Sequence, residues 1–118
     1  MKTFIKIMKA LSDPNRVKTL KMLERKNDMC VCEIQAALGV AQPTVSKHMK
    51  ILEDAGLVES FKEKLWVNYR LSGQSNDSIS HSMLTNLHGW LNDTPEILKL
   101  QEKLPVINRE NICKIEKY

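Results

Sequence analysis

Met29-Cys30-Val31-Cys32-Glu33 sets two thiols one residue apart. Such a pair is a poor structural couple but a good clamp for a soft ion, because thiolates select thiophilic metals and metalloids. The thiolate is the binding form, and a helix N-terminus promotes it. Residues at i and i+2 do not share a helical face. A single atom bridging Cys30 and Cys32 therefore requires the first turn of the helix carrying them to be non-helical or to unwind. The chain holds three cysteines. An odd count in a reducing compartment argues against a disulfide framework, which leaves metal binding, redox sensing or inert burial. Cys113, in the tail, belongs to no motif; as a third ligand beside Cys30 and Cys32 it would have to swing in from there.

The elements that must position these thiols come in quick succession. Phe4, Ile7, Met8 and Leu11 recur at helical spacing and predict an amphipathic helix over 2–11. Asp13-Pro14 restarts the chain as a capping carboxylate followed by a proline whose missing N–H costs nothing. Val17, Leu20 and Leu23 form the buried stripe of that second helix, which runs into the polar stretch 25–28. A short third helix over 31–38 turns Ile34, Ala37 and Leu38 inward; Asp28 and Cys30 are both placed to cap it. Gly39 ends it and 40–41 complete a tight turn. Gln42-Pro43 opens a fourth helix with Val45, Met49 and Leu52 on its inner face, closed by Ala55-Gly56-Leu57. The period then changes. Segments 57–62 and 66–71 are rich in β-branched and aromatic residues and read as a hairpin across Glu63-Lys64-Leu65, with no glycine to mark its turn. After a loop over 72–77, Ile79, Met83, Leu84, Leu87, Trp90 and Leu91 trace a wide stripe on a long helix. Thr94-Pro95-Glu96 starts a shorter one with Ile97, Leu100 and Leu104 inward, and Pro105 ends it. The predicted fold is mainly α with a small β-hairpin, a winged helix-turn-helix over 1–104 with a C-terminal tail over 105–118.

Composition agrees with that plan. At 118 residues and 42% hydrophobic the chain is one domain or one protomer of an oligomer, with little apolar surface to spare. A net charge of +4 suits a nucleic-acid binder without requiring one. No run approaches the ~20 apolar residues of a membrane span, and the N-terminus does not read as a signal peptide. A cytoplasmic protein with no membrane partner is expected.

In this fold the fourth helix would lie in the major groove with its N-terminal residues toward base edges. Gln42, Thr44, Ser46, Lys47 and Lys50 face away from its buried stripe. Gln42 suits an adenine edge and Lys47 guanine; Thr44, Ser46 and Lys50 suit phosphates or mixed contacts. The bland alternative is a solvated polar face. His48, one turn from the apolar positions, reads as a hydrogen-bonded packing residue. Lys62 and Lys64 flank the hairpin tip, where a wing reaches the backbone or minor groove.

Several segments resemble the ArsR/SmtB family of metal-responsive winged helix-turn-helix repressors: Cys30-Val31-Cys32-Glu33-Ile34, Gln42-Pro43-Thr44-Val45-Ser46-Lys47-His48-Met49-Lys50-Ile51-Leu52, Ala55-Gly56-Leu57-Val58 and Trp66-Val67-Asn68-Tyr69-Arg70-Leu71-Ser72. Ala10-Leu11-Ser12-Asp13-Pro14-Asn15-Arg16 is also typical, and the likeness spans about residues 3–92. The Cys30-Val31-Cys32 segment is similar to members that sense arsenite, antimonite or heavy divalent ions on the third helix. The resemblance implies a homodimer held by its first and last helices, bound to double-stranded operator DNA and repressing its own operon until the ion releases it. No permanently bound cofactor is implied; the inducer would be As(III) or Sb(III), with Cd(II) and Pb(II) as further candidates. The departures matter. Arsenical sensors often carry a third cysteine where this chain has Gln35, and cadmium and lead sensors draw cysteines from an N-terminal extension not seen here. His81 and His88 lack the carboxylates of the zinc-type site.

Two other classes compete. The same thiols on the same DNA-binding frame would suit an oxidant or reactive-sulfur sensor, with Cys113 as resolving partner. An enzyme is disfavoured: Cys-x-Cys is not the Cys-x-x-Cys of a thioredoxin-like site, and phosphate loop, nucleophile elbow and paired carboxylates are missing from the sequence.

Overall fold

The computed structural model describes residues 1–73 and 78–108. Helices α1 (Lys2–Ala10) and α2 (Pro14–Arg25) are joined by a turn in which Asp13 accepts the backbone N–H groups of Asn15 at 2.8 Å and Arg16 at 3.3 Å. These bonds satisfy donors that a helix start leaves open. Ile7 and Ala10 of α1 are buried, while Phe4 is exposed, so the apolar stripe of this helix is only partly used within one chain.

The segment after α2 departs from the expected hairpin-only sheet. Met29–Cys30 forms a short strand, β1, leading directly into α3 (Val31–Leu38). It pairs antiparallel with β3 (Trp66–Leu71), which also pairs with β2 (Val58–Glu63), giving the order β1-β3-β2. The register sets Met29 opposite Tyr69 and Cys30 opposite Asn68. Two residues are too few to show a period-two pattern, and this strand exists because β3 offers it an edge.

Helix α3 stops at Gly39, whose φ of 72° is left-handed. Helix α4 (Gln42–Asp54) buries Val45, Met49 and Leu52. It closes through Gly56 at φ 77°, with the Leu57 N–H returning to the Leu52 carbonyl at 3.0 Å. Helix α5 (Ser78–His88) ends earlier than its stripe predicts. Gly89 and Trp90 fold back onto the Asn86 and Leu87 carbonyls, and Asn92 donates its side-chain amide to the His88 carbonyl. Trp90 and Leu91 consequently lie on the surface rather than on a buried face. Helix α6 (Pro95–Lys103) and a single 3₁₀ turn, Leu104–Val106, complete the described chain. Among the described residues no helix is long and apolar enough to cross a membrane.

The core joins Ile7, Leu20, Leu23, Ile34, Val45, Met49, Leu52 and Leu57 to Leu87, Ile97 and Leu100. One cation lies inside it. Lys21 is buried, with Nζ 2.7 Å from the Leu87 carbonyl and 2.8 Å from the Glu24 carboxylate. It thereby holds the C-terminal turn of α5, where a positive charge is favourable. Replacing Lys21 with Met keeps the apolar stem and leaves Glu24 without its cation, while the Leu87 carbonyl keeps the Trp90 N–H. Urea unfolding of Lys21→Met is expected to show a loss of about 2–4 kcal/mol; a loss below about 1 kcal/mol would mean the pair behaves as a surface contact.

Candidate nucleic-acid interface and thiol site

Cys30 belongs to two elements at once. It ends β1 and is the N-cap of α3, with φ −87° and ψ 169°. The cap is reciprocal: the Cys30 side chain takes the amide of Glu33, and the Glu33 carboxylate accepts the Cys30 N–H at 3.0 Å. Because Cys30 is extended, its side chain is freed from helical spacing. Cys30 and Cys32 pack together with Trp66 of β3 against them, in a cluster separate from the main core. The first turn thus needs no unwinding to bring the thiols together, since its N-cap already lies outside the helix. Both are buried, Cys30 at 2% and Cys32 at 8% exposure.

Glu33, also buried, pairs with Lys26 Nζ at 2.8 Å. The same Lys26 ammonium donates to the Ile107 carbonyl. At the far end of α3, Lys103 of α6 approaches the Ala37 carbonyl at 3.4 Å. Sequence reasoning singled out neither lysine, because nothing local in the chain marks a contact made over such separations. Cys113 lies outside the described residues. Among the described residues no group of three or more His, Cys, Asp or Glu side chains is placed to hold a metal ion.

On α4, Gln42, Thr44, Ser46, Lys47 and Lys50 are all exposed, with Lys50 4 residues before its ion-pair partner Asp54 at 3.2 Å. His48 is half-buried, its Nδ1 3.1 Å from an Arg16 guanidinium nitrogen and its Nε2 3.9 Å from Asp13. Arg16 also donates to the Ala10 carbonyl at 2.8 Å and the Lys9 carbonyl at 3.2 Å. One planar guanidinium so fastens α4 to α1 and α2 and fixes the tilt of the exposed face. Arg16 was legible only as part of a familiar-looking segment.

At the wing, Glu63 faces Trp66 across the ladder, which leaves Lys64-Leu65 as a two-residue turn. Lys64 adopts φ 56°, the left-handed conformation a glycine would have taken there. Lys62 and Lys64 are exposed, and Leu65 stands 75% exposed at the tip. Behind the tip, the Asn68 side-chain amide donates to Glu63 Oε1 at 3.0 Å. Burial and, second, the negative charge of Glu53 raise the Tyr69 phenol above its usual pKa, so it stays neutral where the sheet meets the core.

Residues 13–60 match the family described as "Bacterial regulatory protein, arsR family". The chain is 31% identical over 99 residues to the arsenic resistance transcriptional regulator ArsR1 of Pseudomonas putida, covering 81% of this chain and 76% of that protein. It is 33% identical over 69 residues to the cadmium resistance transcriptional regulatory protein CadC homolog of Staphylococcus aureus, covering 58% and 57% of the two. Among solved structures, HlyU from Vibrio cholerae superposes with a TM-score of 0.63 at 29% identity, over 76% of this chain and 92% of that one. With its helix-turn-helix, its wing and these relatives in view, the chain belongs to the ArsR family of DNA-binding winged helix-turn-helix transcriptional regulators.

Proposed function

We propose that this regulator is a homodimeric repressor that holds operator DNA through α4 and the wing, and that arsenite or antimonite releases it by binding the thiolates of Cys30 and Cys32. The observation that carries the reading is the packing of these two thiols against each other at the N-cap of α3, the helix that leads into α4. The binding step is a ligand exchange: As(OH)₃ and two thiols give a dithiolate As–OH and two waters. Two As–O bonds and two S–H bonds break, two As–S bonds form, and nothing is oxidised. Two sulfurs with a remaining hydroxide suit a pyramidal metalloid better than a four-coordinate divalent ion, which favours arsenite over cadmium here. Cys113→Ser tests whether a third sulfur joins them.

Burial also weighs between the thiol chemistries. Sensors of oxidants rely on accessible thiolates, and these two are almost wholly covered. The dimer reading rests on surplus apolar surface. Phe4 and Ile5 of α1 and Leu98 of α6 are exposed, with Trp90 and Leu91 exposed just before α6, an arrangement that suits a twofold contact through the first and last helices. Twofold symmetry then calls for an imperfect palindrome in the DNA.

The decisive experiment is fluorescence anisotropy of the reduced protein on DNA from its own promoter, titrated with arsenite beside a Cys30→Ser/Cys32→Ser variant. Release of the native protein and retention of the variant is the expected outcome; retention of both would remove arsenite as the inducer. Linkage adds a second check: saturating operator must weaken arsenite binding by the same factor by which arsenite weakens operator binding. Equal arsenite affinity with and without DNA would contradict the mechanism.

The DNA contacts divide by kind. Lys47→Ala is expected to cost about 1–3 kcal/mol on the preferred site and to relax preference at one base pair. Lys62→Ala should weaken all sequences alike and lower the slope of log affinity against log salt by about one. A salt titration of both variants on two DNA sequences distinguishes these patterns, and identical behaviour would dismiss the assignment.

A further inference from the structure

The thiol cluster packs against β3 of the wing. Helices α3 and α4 pack on each other, and both place side chains in the main core, Ile34 and Ala37 from the first and Val45 and Met49 from the second. Cys30 and Cys32 sit apart from that core, and the apolar side chain packed against them is Trp66 of β3. Cys30 is moreover a rung of the sheet, opposite Asn68. Asn68 is 1% exposed, and its side chain holds Glu63 at the end of β2. Glu63 lies between Lys62 and Lys64 in the chain. A continuous path of backbone pairing and one part-buried hydrogen bond therefore runs from Cys30 to the wing tip.

We infer that occupancy of Cys30 and Cys32 is communicated to DNA through the wing, with Asn68 and Glu63 as the positioning residues that carry the displacement from the thiol site to the hairpin tip. This deepens the reading of the thiols as the inducer site and rests on it. Two As–S bonds to one atom bring the sulfurs within the span of those bonds and draw the Cys30 side chain away from the Glu33 amide. The displaced residue is both helix cap and strand end. The core contacts of α3 with α4 resist movement, because a packed interior deforms little. The two-residue strand β1 has few bonds to lose. Strain therefore flows into the β1–β3 pairing, shifts Asn68, and loosens its hold on Glu63 and the lysines on either side.

The test uses the full chain, reduced, with sodium arsenite. Hydrogen exchange of the native protein is measured with and without arsenite, and the arsenite-induced drop in operator affinity is compared between Glu63→Ala and Glu63→Gln. Both variants remove the same charge from an exposed position, but only glutamine keeps an oxygen for Asn68. Arsenite is expected to speed exchange in β3 and the tip while α4 stays protected. The drop in operator affinity, on the order of 5–150-fold in the native protein, should persist in Glu63→Gln and fall below about threefold in Glu63→Ala. Arsenite affinity, read by titration in the absence of DNA, should be equal in both. Equal drops in the two variants, or faster exchange in α4 with β3 unchanged, would overturn the wing route while leaving the thiol reading intact. Failure of arsenite to bind the native protein would overturn the thiol reading, and the route with it.

Discussion

Glu33 is 3% exposed, and its carboxylate meets the Cys30 N–H at 3.0 Å and the Lys26 ammonium at 2.8 Å. A carboxylate withdrawn from water without such partners would cost several kcal/mol. The two contacts therefore constrain everything around them. The first keeps Cys30 extended at the start of α3. The second ties the end of α2 to that start, and through the Ile107 carbonyl to the end of the described chain. Lys26 is only partly covered, with its side chain 29% exposed, so its attraction to Glu33 is screened on one side. The geometry at Cys30 thus owes more to the buried N–H bond than to the ion pair.

That geometry explains how a pair spaced i, i+2 can act together. In a continuous helix the two thiols would diverge. Moving the helix start to Cys30 lets one cysteine belong to the sheet and the other to the first turn, while the side chains still meet. The same arrangement covers them with Trp66. A small neutral hydroxide of arsenic is better suited to such a site than a large thiol reagent. Burial and chemistry here favour the same class of ligand.

The DNA-facing side is built on a comparable economy of contacts. Arg16 joins two carbonyls of α1 to His48 of α4, so three helices share one guanidinium. The exposed polar residues of α4 make few contacts of their own within the protein. Their collective orientation depends on that one buried-edge network and on the apolar face of Val45, Met49 and Leu52. In the wing a left-handed Lys64 closes a two-residue turn, the Asn68 side chain bonds to Glu63 behind it, and Arg70 pairs with Glu59 across the ladder at 2.8 Å.

Local patterns in the sequence determined where the helices lie, the Asp13 cap, the glycine stops at 39 and 56, and the paired β segments, because each depends on residues within one or two turns of one another; the choice between Asp28 and Cys30 as cap of α3 was left to the fold. The thiol pair, the exposed face of α4 and the lysines of the hairpin were legible for the same reason. Tertiary structure decided the remainder. The strand Met29–Cys30 exists only because β3 lies beside it. Helix α5 ends at His88, before Trp90 and Leu91, because the chain there folds back on its own carbonyls. Lys21, Lys26 and Arg16 found carbonyls that no spacing rule foretells. Periodicity records which way a residue points within its own element; which distant backbone group a long cation meets is set only when the elements pack.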